Sequence, residues 1–482
     1  AVSALQPATG RMVFADLATA ATATIPAGVS NITLQTYSVS AGPVGGANYR
    51  EAVSDAEYNA YSTYLKFTTA NSRKFVAYKI SDSSQVGVVA DGVIDNHARL
   101  QAYADYCGYT GRLFVLADSP KEYRISQKLV FKTTRNLDPT DTTPGSDLHF
   151  SDVLPFLVFG EGKAKVVATT AMTSMFEFIF DTSDSDIGPF YTSVTNIQLD
   201  GNSLATSCIK SDYTMHLSVQ KCRLHNAVRG IEWVGYGVSR IRDNVIRCKY
   251  GVYLLGGGGD STISNNDFYV QEATSACIFL GYYGGNMEIR GNIFSNDQGF
   301  TGATYAIQMD GTTAAVAQEI RHVAILNNEF SGIPTAIRAD GKSSSVKNVW
   351  ACTIRDNHVT SNGAGNYGVL LASVDCTEFV ISGNFGNATR LTDASDIFLQ
   401  LLRCDRFLIS NNKVAGYSQS AIRLNTCLDC EVLGNQLHDV GKLGTSYTAI
   451  FLTGVSLRNR VIGNKLHQSS ASYANNGVYE DA

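Results

Sequence analysis

Two six-residue stretches, AIQMDG at 306–311 and AIRADG at 336–341, echo one another and end on Asp310 and Asp340 before a glycine. If both are strands in one register, Gln308 and Asp310 project from the same face as Arg338 and Asp340, because alternate strand residues face opposite sides. On neighbouring strands the equivalent positions stand about 4.8 Å apart. Like charges that close raise one carboxyl pKa, which is what an acid/base pair requires. Such a pair suits glycoside hydrolysis: one carboxyl protonates the leaving oxygen and the other activates water or attacks the sugar. Separations of about 5 Å give retention and about 6.5–9.5 Å inversion, and strand spacing alone selects neither. Gln308 and Arg338 are then substrate-binding neighbours. The competing reading is structural, since Asp before Gly is common turn chemistry and Arg338 would simply neutralise its neighbours.

Other residues invite the same question. Glu232, in GIEWVG, is a third candidate catalytic carboxyl, three repeats away. Tyr282 and Tyr283 are candidates for stacking on sugar rings, as is Trp233, although its register turns it to the core, where large aromatics usually pack. Arg423 is a candidate substrate contact. Asp181, Asp184 and Asp186 sit together in DTSDSDIG, the kind of loop that is normally solvated. No HxH or HExxH spacing occurs and CLDC at 427–430 is an isolated CxxC, so neither a metal site nor a cofactor is expected.

The elements that would position these groups are written in a repeat. ISGN at 381–384, ISNN at 409–412, VLGN at 432–435 and VIGN at 461–464 each place Asn three residues after Ile or Val. Asn244, Asn266, Asn292, Asn328 and Asn357 continue the series upstream, and 22-residue steps put Cys222 and Asp200 in the same slot. Each slot is followed by a short apolar segment opening on a small residue, such as GVYLLG from 251, ACIFLG from 276 or AIFLTG from 449. Segments of this length and alternation are strands. Intervals of 22 to 36 residues between slots are the period of a solenoid coil. The expected fold is all-β: a right-handed parallel β-helix of about eleven coils over 136–482. The repeated asparagine is expected to bond its own bend and the amide of the next coil. Cys376, Cys404 and Cys427, each eight residues before an asparagine, are expected to stack in the core.

In this register the outward positions of the second strands are Glu232, Tyr253, Leu255, Ile278, Leu280, Leu370, Phe398, Gln400, Arg423, Asn425 and Phe451. The Asp310/Asp340 pair interrupts a mostly apolar and aromatic surface.

Bulk properties bound the rest. Forty-three glycines and nine prolines in 482 residues fit a turn-rich β protein. A formal net charge of −5 argues against nucleic acid as the main partner. No apolar run is long enough to cross a membrane, and AVSALQPATGRMVFAD does not read as a signal peptide.

Before the repeats, VVADGVIDNHARLQAYADYCG at 88–108 carries a capping Asp95 or Asn96 and apolar Leu100, Tyr103, Ala104 and Cys107 at helical spacing, followed by YRISQKLVF. A capping helix and its following strands are expected over 86–135, covering the open end of the solenoid. A small β-rich module, 1–85, precedes it. The pattern DG-V-x-D-N-x-x-x-L-Q-x-A followed by YRIS-x-x-L resembles the lead-in of pectate-lyase-like β-helices of bacteriophage tailspikes and related polysaccharide-degrading proteins. TIPAGVSNITLQTYSVSAGPVGGANYREA at 24–52 resembles the module that often precedes it. The resemblance implies a homotrimeric virion protein, attached to the phage tail or baseplate through its N-terminus. It would act at the host cell surface on bacterial O-antigen or capsule. It also supplies alternatives: a lyase in which paired aspartates hold Ca²⁺ on a uronate and Arg338 removes the proton, or a non-catalytic glycan-binding adhesin. The NTD, DD, HG and RIK motifs of polygalacturonases, another β-helix group, are absent.

Overall fold

The computed structural model describes residues 10–37, 46–133, 156–180 and 191–480, apart from loop segments at 213–215, 235–236, 257–258, 273–274, 282–284, 297–303, 313–318, 343–347, 362–367, 389–396, 443–447 and 470–475. The chain divides into two compact units, Ala1–Thr206 and Ser207–Ala482.

The first unit opens on a five-stranded sheet in the order Arg11–Phe14, Asn31–Leu34, Asn48–Glu51, Lys74–Tyr78, Lys66–Thr68. Arg73 locks it at one corner, donating to Glu51 at 2.8 Å and to the carbonyl of Val29 at 2.6 Å. The expected helix is His97–Thr110, closed by Gly111 in the left-handed conformation at φ 64°, where a Cβ would be strained. Leu100, Tyr103, Ala104 and Cys107 are all buried. Of the two candidate caps, Asp95 takes the first-turn N–H of His97 at 3.1 Å. Asn96 instead clamps Val89, accepting from its N–H at 2.9 Å and donating to its carbonyl at 2.8 Å. The helix covers the terminal strand Leu129–Thr133: Gln101 accepts from the N–H of Val130 at 2.8 Å and donates to its carbonyl at 2.7 Å. That satisfies backbone groups an edge strand would otherwise offer to another chain.

Three parallel sheets, thirteen strands each, make the β-helix. Along the chain each coil visits sheet I before the bend, sheet II after it and sheet III with the longest strands, as in Met287–Arg290, Ile293–Ser295 and Tyr305–Asp310. Among the described residues there are thirteen coils: the first, 114–133, lies in the expected entry segment, and the second bends without the apolar-x-x-Asn signature. The slot of the third coil is also displaced. Asn196, at φ 56°, is the left-handed residue of that bend, so the slot falls on buried Ile197, while Asp200 lies in the next strand and pairs with Lys165 at 3.2 Å.

The bend explains the repeat. The residue before each slot has positive φ: Lys221, Asp243, Asn265, Gly291, Asn327, Asp356, Gly383, Asn411, Gly434 and Gly463. Glycine, asparagine and aspartate dominate there because side chains tolerate that region poorly. In the second unit the slot asparagines form a continuous ladder. Asn292 sends both its backbone N–H and its side-chain Nδ2 to Asn328 Oδ1 at 3.0 Å, and Nδ2 also donates to the carbonyl of Ile263 at 2.9 Å. The same pattern runs from Asn244 to Asn464. All ten cysteines are free and buried, Cys376, Cys404 and Cys427 among them.

Candidate functional site

The outer face of sheet III in the second unit carries the charged and aromatic side chains singled out above. Its central column runs Lys210, Glu232, Tyr253, Phe279, Gln308, Arg338, Ala372, Gln400, Arg423 and Phe451, each the register partner of the next. A second column, two residues on, includes Asp212, Val234, Leu255, Asp310, Asp340 and Val374. Asp310 and Asp340 are direct Cα partners, as are Gln308 and Arg338.

Each aspartate has a partner of its own. Arg338 spans Asp340, with Nε to Oδ2 at 2.8 Å and Nη2 to Oδ1 at 2.5 Å. Burial works against the guanidinium, but hydrogen bonding and the charge of Asp340 outweigh it and hold the Arg338 pKa above its usual range. Asp310 Oδ1 accepts from the N–H of Thr312 at 2.9 Å and from its hydroxyl at 2.5 Å, closing the turn at Gly311. Among the described residues, no hydrogen bond reaches Asp310 Oδ2. The backbone N–H of Gly311 donates to the carbonyl of Asp340 at 2.8 Å, tying the two turns together.

Glu232 sits three coils from Gln308 and belongs to a separate cluster. It is only 8% exposed, accepts from Arg229 Nη1 at 2.7 Å and takes a short hydrogen bond from the Ser207 hydroxyl. Arg229 also lies 3.9 Å from the ring centroid of Tyr253, a cation–π contact. Tyr253 stacks on Phe279 at 4.7 Å and 8°, with Tyr250 edge-on to Tyr253 at 5.3 Å. That stacking distance is the strand spacing itself. Burial pushes the Tyr253 hydroxyl up; Arg229 pulls it back, while Tyr250, Glu232 and Asp310 push it further. The hydroxyl therefore remains a neutral donor at ordinary pH.

Three comparisons bear on the fold. A family model described as right handed beta helix region matches residues 180–348, and one described as periplasmic copper-binding protein (NosD) matches residues 304–480. No curated protein matches the sequence. Among solved structures, the pre-mature gene product 12 of bacteriophage phi29 aligns with a TM-score of 0.58 at 10% identity, over 80% of this chain and 52% of that one. A double-mutant tailspike protein of E. coli bacteriophage HK620, in complex with pentasaccharide, aligns with a TM-score of 0.56 at 10% identity, over 89% of this chain and 83% of that one. The chain has the tailspike-like right-handed β-helix fold. Among the described residues, no group of three or more His, Cys, Asp or Glu is arranged to hold a metal ion.

Within that β-helix, Asp310, Asp340, Gln308 and Arg338 come together as expected, whereas Glu232 and Arg423 stand three coils away on either side. Arg423 lies over Phe451 at 5.6 Å. Trp233 is 1% exposed and belongs to the core. Tyr282, Tyr283, Asp181, Asp184 and Asp186 lie outside the described residues. Four expected outward residues point inward: Ile278, Leu280, Leu370 and Phe398 are fully buried. Leu370 and Phe398 stand opposite buried Ala336 and Ala421, two residues before the outward Ala372 and Gln400. Aligning Ala276 with Ala306 puts Ile278 and Leu280 outside, but Ala276 pairs with Tyr305 and Phe279 with Gln308. A one-residue slip exchanges the faces of a strand. The pairing makes Phe279 the rung between Tyr253 and Gln308, a place the sequence register gives to Ile278.

Proposed function

We propose that this chain is a carbohydrate-active phage tailspike that binds a bacterial surface polysaccharide along the outer face of sheet III and hydrolyses it at Asp310 and Asp340. The observation that carries the reading is the register pairing of these two aspartates, flanked by Gln308 and Arg338 and approached by the Tyr253–Phe279 stack. Aromatic faces suit sugar C–H surfaces, and carboxylates accept sugar hydroxyls. Adjacent strands put the carboxyl-bearing positions about 4.8 Å apart, so both can address one glycosidic bond. Asp310, whose Oδ2 has no hydrogen bond among the described residues, is the group that exchanges a proton with the glycosidic oxygen. Asp340 is the carboxylate that Arg338 holds toward the sugar. With this reading goes the setting of a tailspike: a homotrimer on the virion tail, joined to it through the N-terminal module and acting at the host surface.

Elimination fits less well, because Arg338, raised in pKa and bidentate on Asp340, is a poor base and competes with any cation for that carboxylate. Binding without cleavage is the second reading. It is favoured by the self-contained Arg338–Asp340 pair and by the Asp310 turn, both of which serve structure alone equally well.

Incubating the full chain with capsular and O-chain polysaccharides purified from a panel of bacterial strains separates these readings. New reducing ends without an ultraviolet-absorbing unsaturated product support hydrolysis; absorbance growth supports elimination; calorimetric binding with no product leaves an adhesin. No binding by any polysaccharide contradicts the glycan reading.

A further inference from the structure

The chain has two tryptophans, and they differ in kind. Trp233 is a core residue, whereas Trp350 is half-buried on a backbone held from both sides. The segments that follow Asp310 and Asp340 return as a short parallel ladder in which Ile320 pairs with Val349 and Arg321 with Trp350. Buried Asn348 joins this ladder to the aspartate turns: its Nδ2 donates to the carbonyl of Gly311 at 2.6 Å and its Oδ1 accepts from the N–H of Lys342 at 2.9 Å. On the other side, the N–H of Ala351 donates to the carbonyl of Thr377 at 3.3 Å, and the N–H of Thr377 to that of Val349 at 3.1 Å.

The indole is fixed as well. Its Nε1 donates to Glu319 Oε2 at 3.1 Å, His322 meets it edge-on at 5.3 Å, and the Arg321 guanidinium lies 5.7 Å from the ring centroid. A single half-buried aromatic side chain needs no explanation. A large ring with its N–H satisfied, its backbone tied on both sides and its strand bonded to the turns of both candidate catalytic residues is different, because it has lost its freedom before any ligand arrives. Two strand residues, roughly 7 Å, separate Trp350 from the asparagine that holds Gly311.

Resting on the glycan reading above, we propose that Trp350 is a preformed platform for one sugar ring of the polysaccharide, beside the Asp310–Asp340 pair. The ring lays its C–H face on the indole and points hydroxyls at the carboxylates of Glu319 and Asp310. Acceptors of this kind select a hydroxyl-rich hexopyranose over a uronate presenting its own carboxylate. Trp350 is a positioning residue, since no reacting atom is assigned to it.

The test uses the full chain and the same panel of capsular and O-chain polysaccharides, with tryptophan emission, calorimetry and steady-state kinetics as readouts. A polysaccharide that binds should shift or quench emission in the wild type and leave Trp350→Phe, which retains only Trp233, unchanged. Trp350→Ala should raise Kd and KM about tenfold with kcat held, and Trp350→Phe should raise them less. The inference is overturned if a polysaccharide that calorimetry shows to bind leaves wild-type emission unmoved and binds Trp350→Ala with wild-type affinity. It is also overturned if the variant loses thermal stability while KM stays constant. If no polysaccharide binds the wild type, the glycan reading fails first and this inference with it.

Discussion

Replacing Asn328 with alanine should show what the asparagine ladder contributes. Asn328 Oδ1 is the acceptor for both the backbone N–H and the Nδ2 of Asn292, while its own Nδ2 donates to the carbonyl of Ile289 at 2.9 Å and to Asn357 Oδ1 at 3.0 Å. Alanine removes all four bonds. Asn292 Nδ2 keeps Ile263, Asn357 Oδ1 keeps the backbone N–H of Asn328, and the Ile289 carbonyl stays in the parallel ladder with Val323–Leu326, so the group left without a partner inside the coil is the Asn292 N–H. At about 1–3 kcal/mol for one buried group left unsatisfied, and with the Nδ2 bonds lost besides, the cost is about 2–3 kcal/mol. Asn464→Ala, in the last bend, is the control. Its side chain is partly exposed, water can replace it, and about 1 kcal/mol or less is expected. Urea unfolding followed by emission from Trp233 and Trp350 measures both variants, with midpoints compared at equal slope because a long repeat array need not unfold in one step. Equal losses in the two variants, within about 0.5 kcal/mol, would refute the role assigned to the ladder.

Acid should weaken the N-terminal sheet selectively. Hydrogen bonds from Arg73 and Arg50 are the chief reason that the Glu51 and Glu57 carboxyls lie below their usual range. Their contribution is therefore present above the unfolded value of about 4.3 and lost as pH falls through the lowered folded values. Hydrogen exchange over residues 10–78 should be flat from neutral pH to about 5 and accelerate below about 4.3 beyond the intrinsic rate, a change that Arg73→Met reduces. Burial pushes the Cys277 and Cys352 thiols up to about 12, and all ten cysteines are free and buried. A thiol reagent should thus find no fast-reacting group in the native chain, ten after denaturation, and no effect of reductant on the melting temperature. Tyr253→Ala removes the ring stacked on Phe279 and faced by Arg229, and should weaken polysaccharide binding about tenfold, roughly 1.4 kcal/mol. Calorimetry showing unchanged affinity would remove the aromatic strip from the binding surface.

The solenoid was legible because its bend imposes two local demands at once: a left-handed residue and a buried amide after it. That pair writes itself as Gly-Asn, Asn-Asn or Asp-Asn in coil after coil, as at Gly383–Asn384 and Asn411–Asn412. Where the bend uses Asn196 and Ile197 instead, the 22-residue step points to Asp200, three residues late. The long strands were harder, since their pairing is set by loops of variable length and not by a local signal. AIQMDG and AIRADG announced their common register by near-identity, which is why Asp310 and Asp340 were placed together. ACIFLG offered only a small first residue, and the one-residue slip hid Phe279. Trp350 stood in an insertion after Asp340 whose return as a strand has no periodicity to mark it. Its hydrogen bond to Glu319 and the Asn348 clamp appear only in three dimensions.

The central claim is that Asp310 and Asp340 act together on a glycosidic bond. Oligosaccharide products should be quantified for the wild type, Asp310→Asn and Asp340→Asn on a polysaccharide the wild type cleaves, with binding measured in parallel. The expected result is a loss of turnover of 10²-fold or more in both variants with Kd changed by less than about tenfold. Wild-type turnover in both variants would contradict the assignment and move the chemistry elsewhere on the chain.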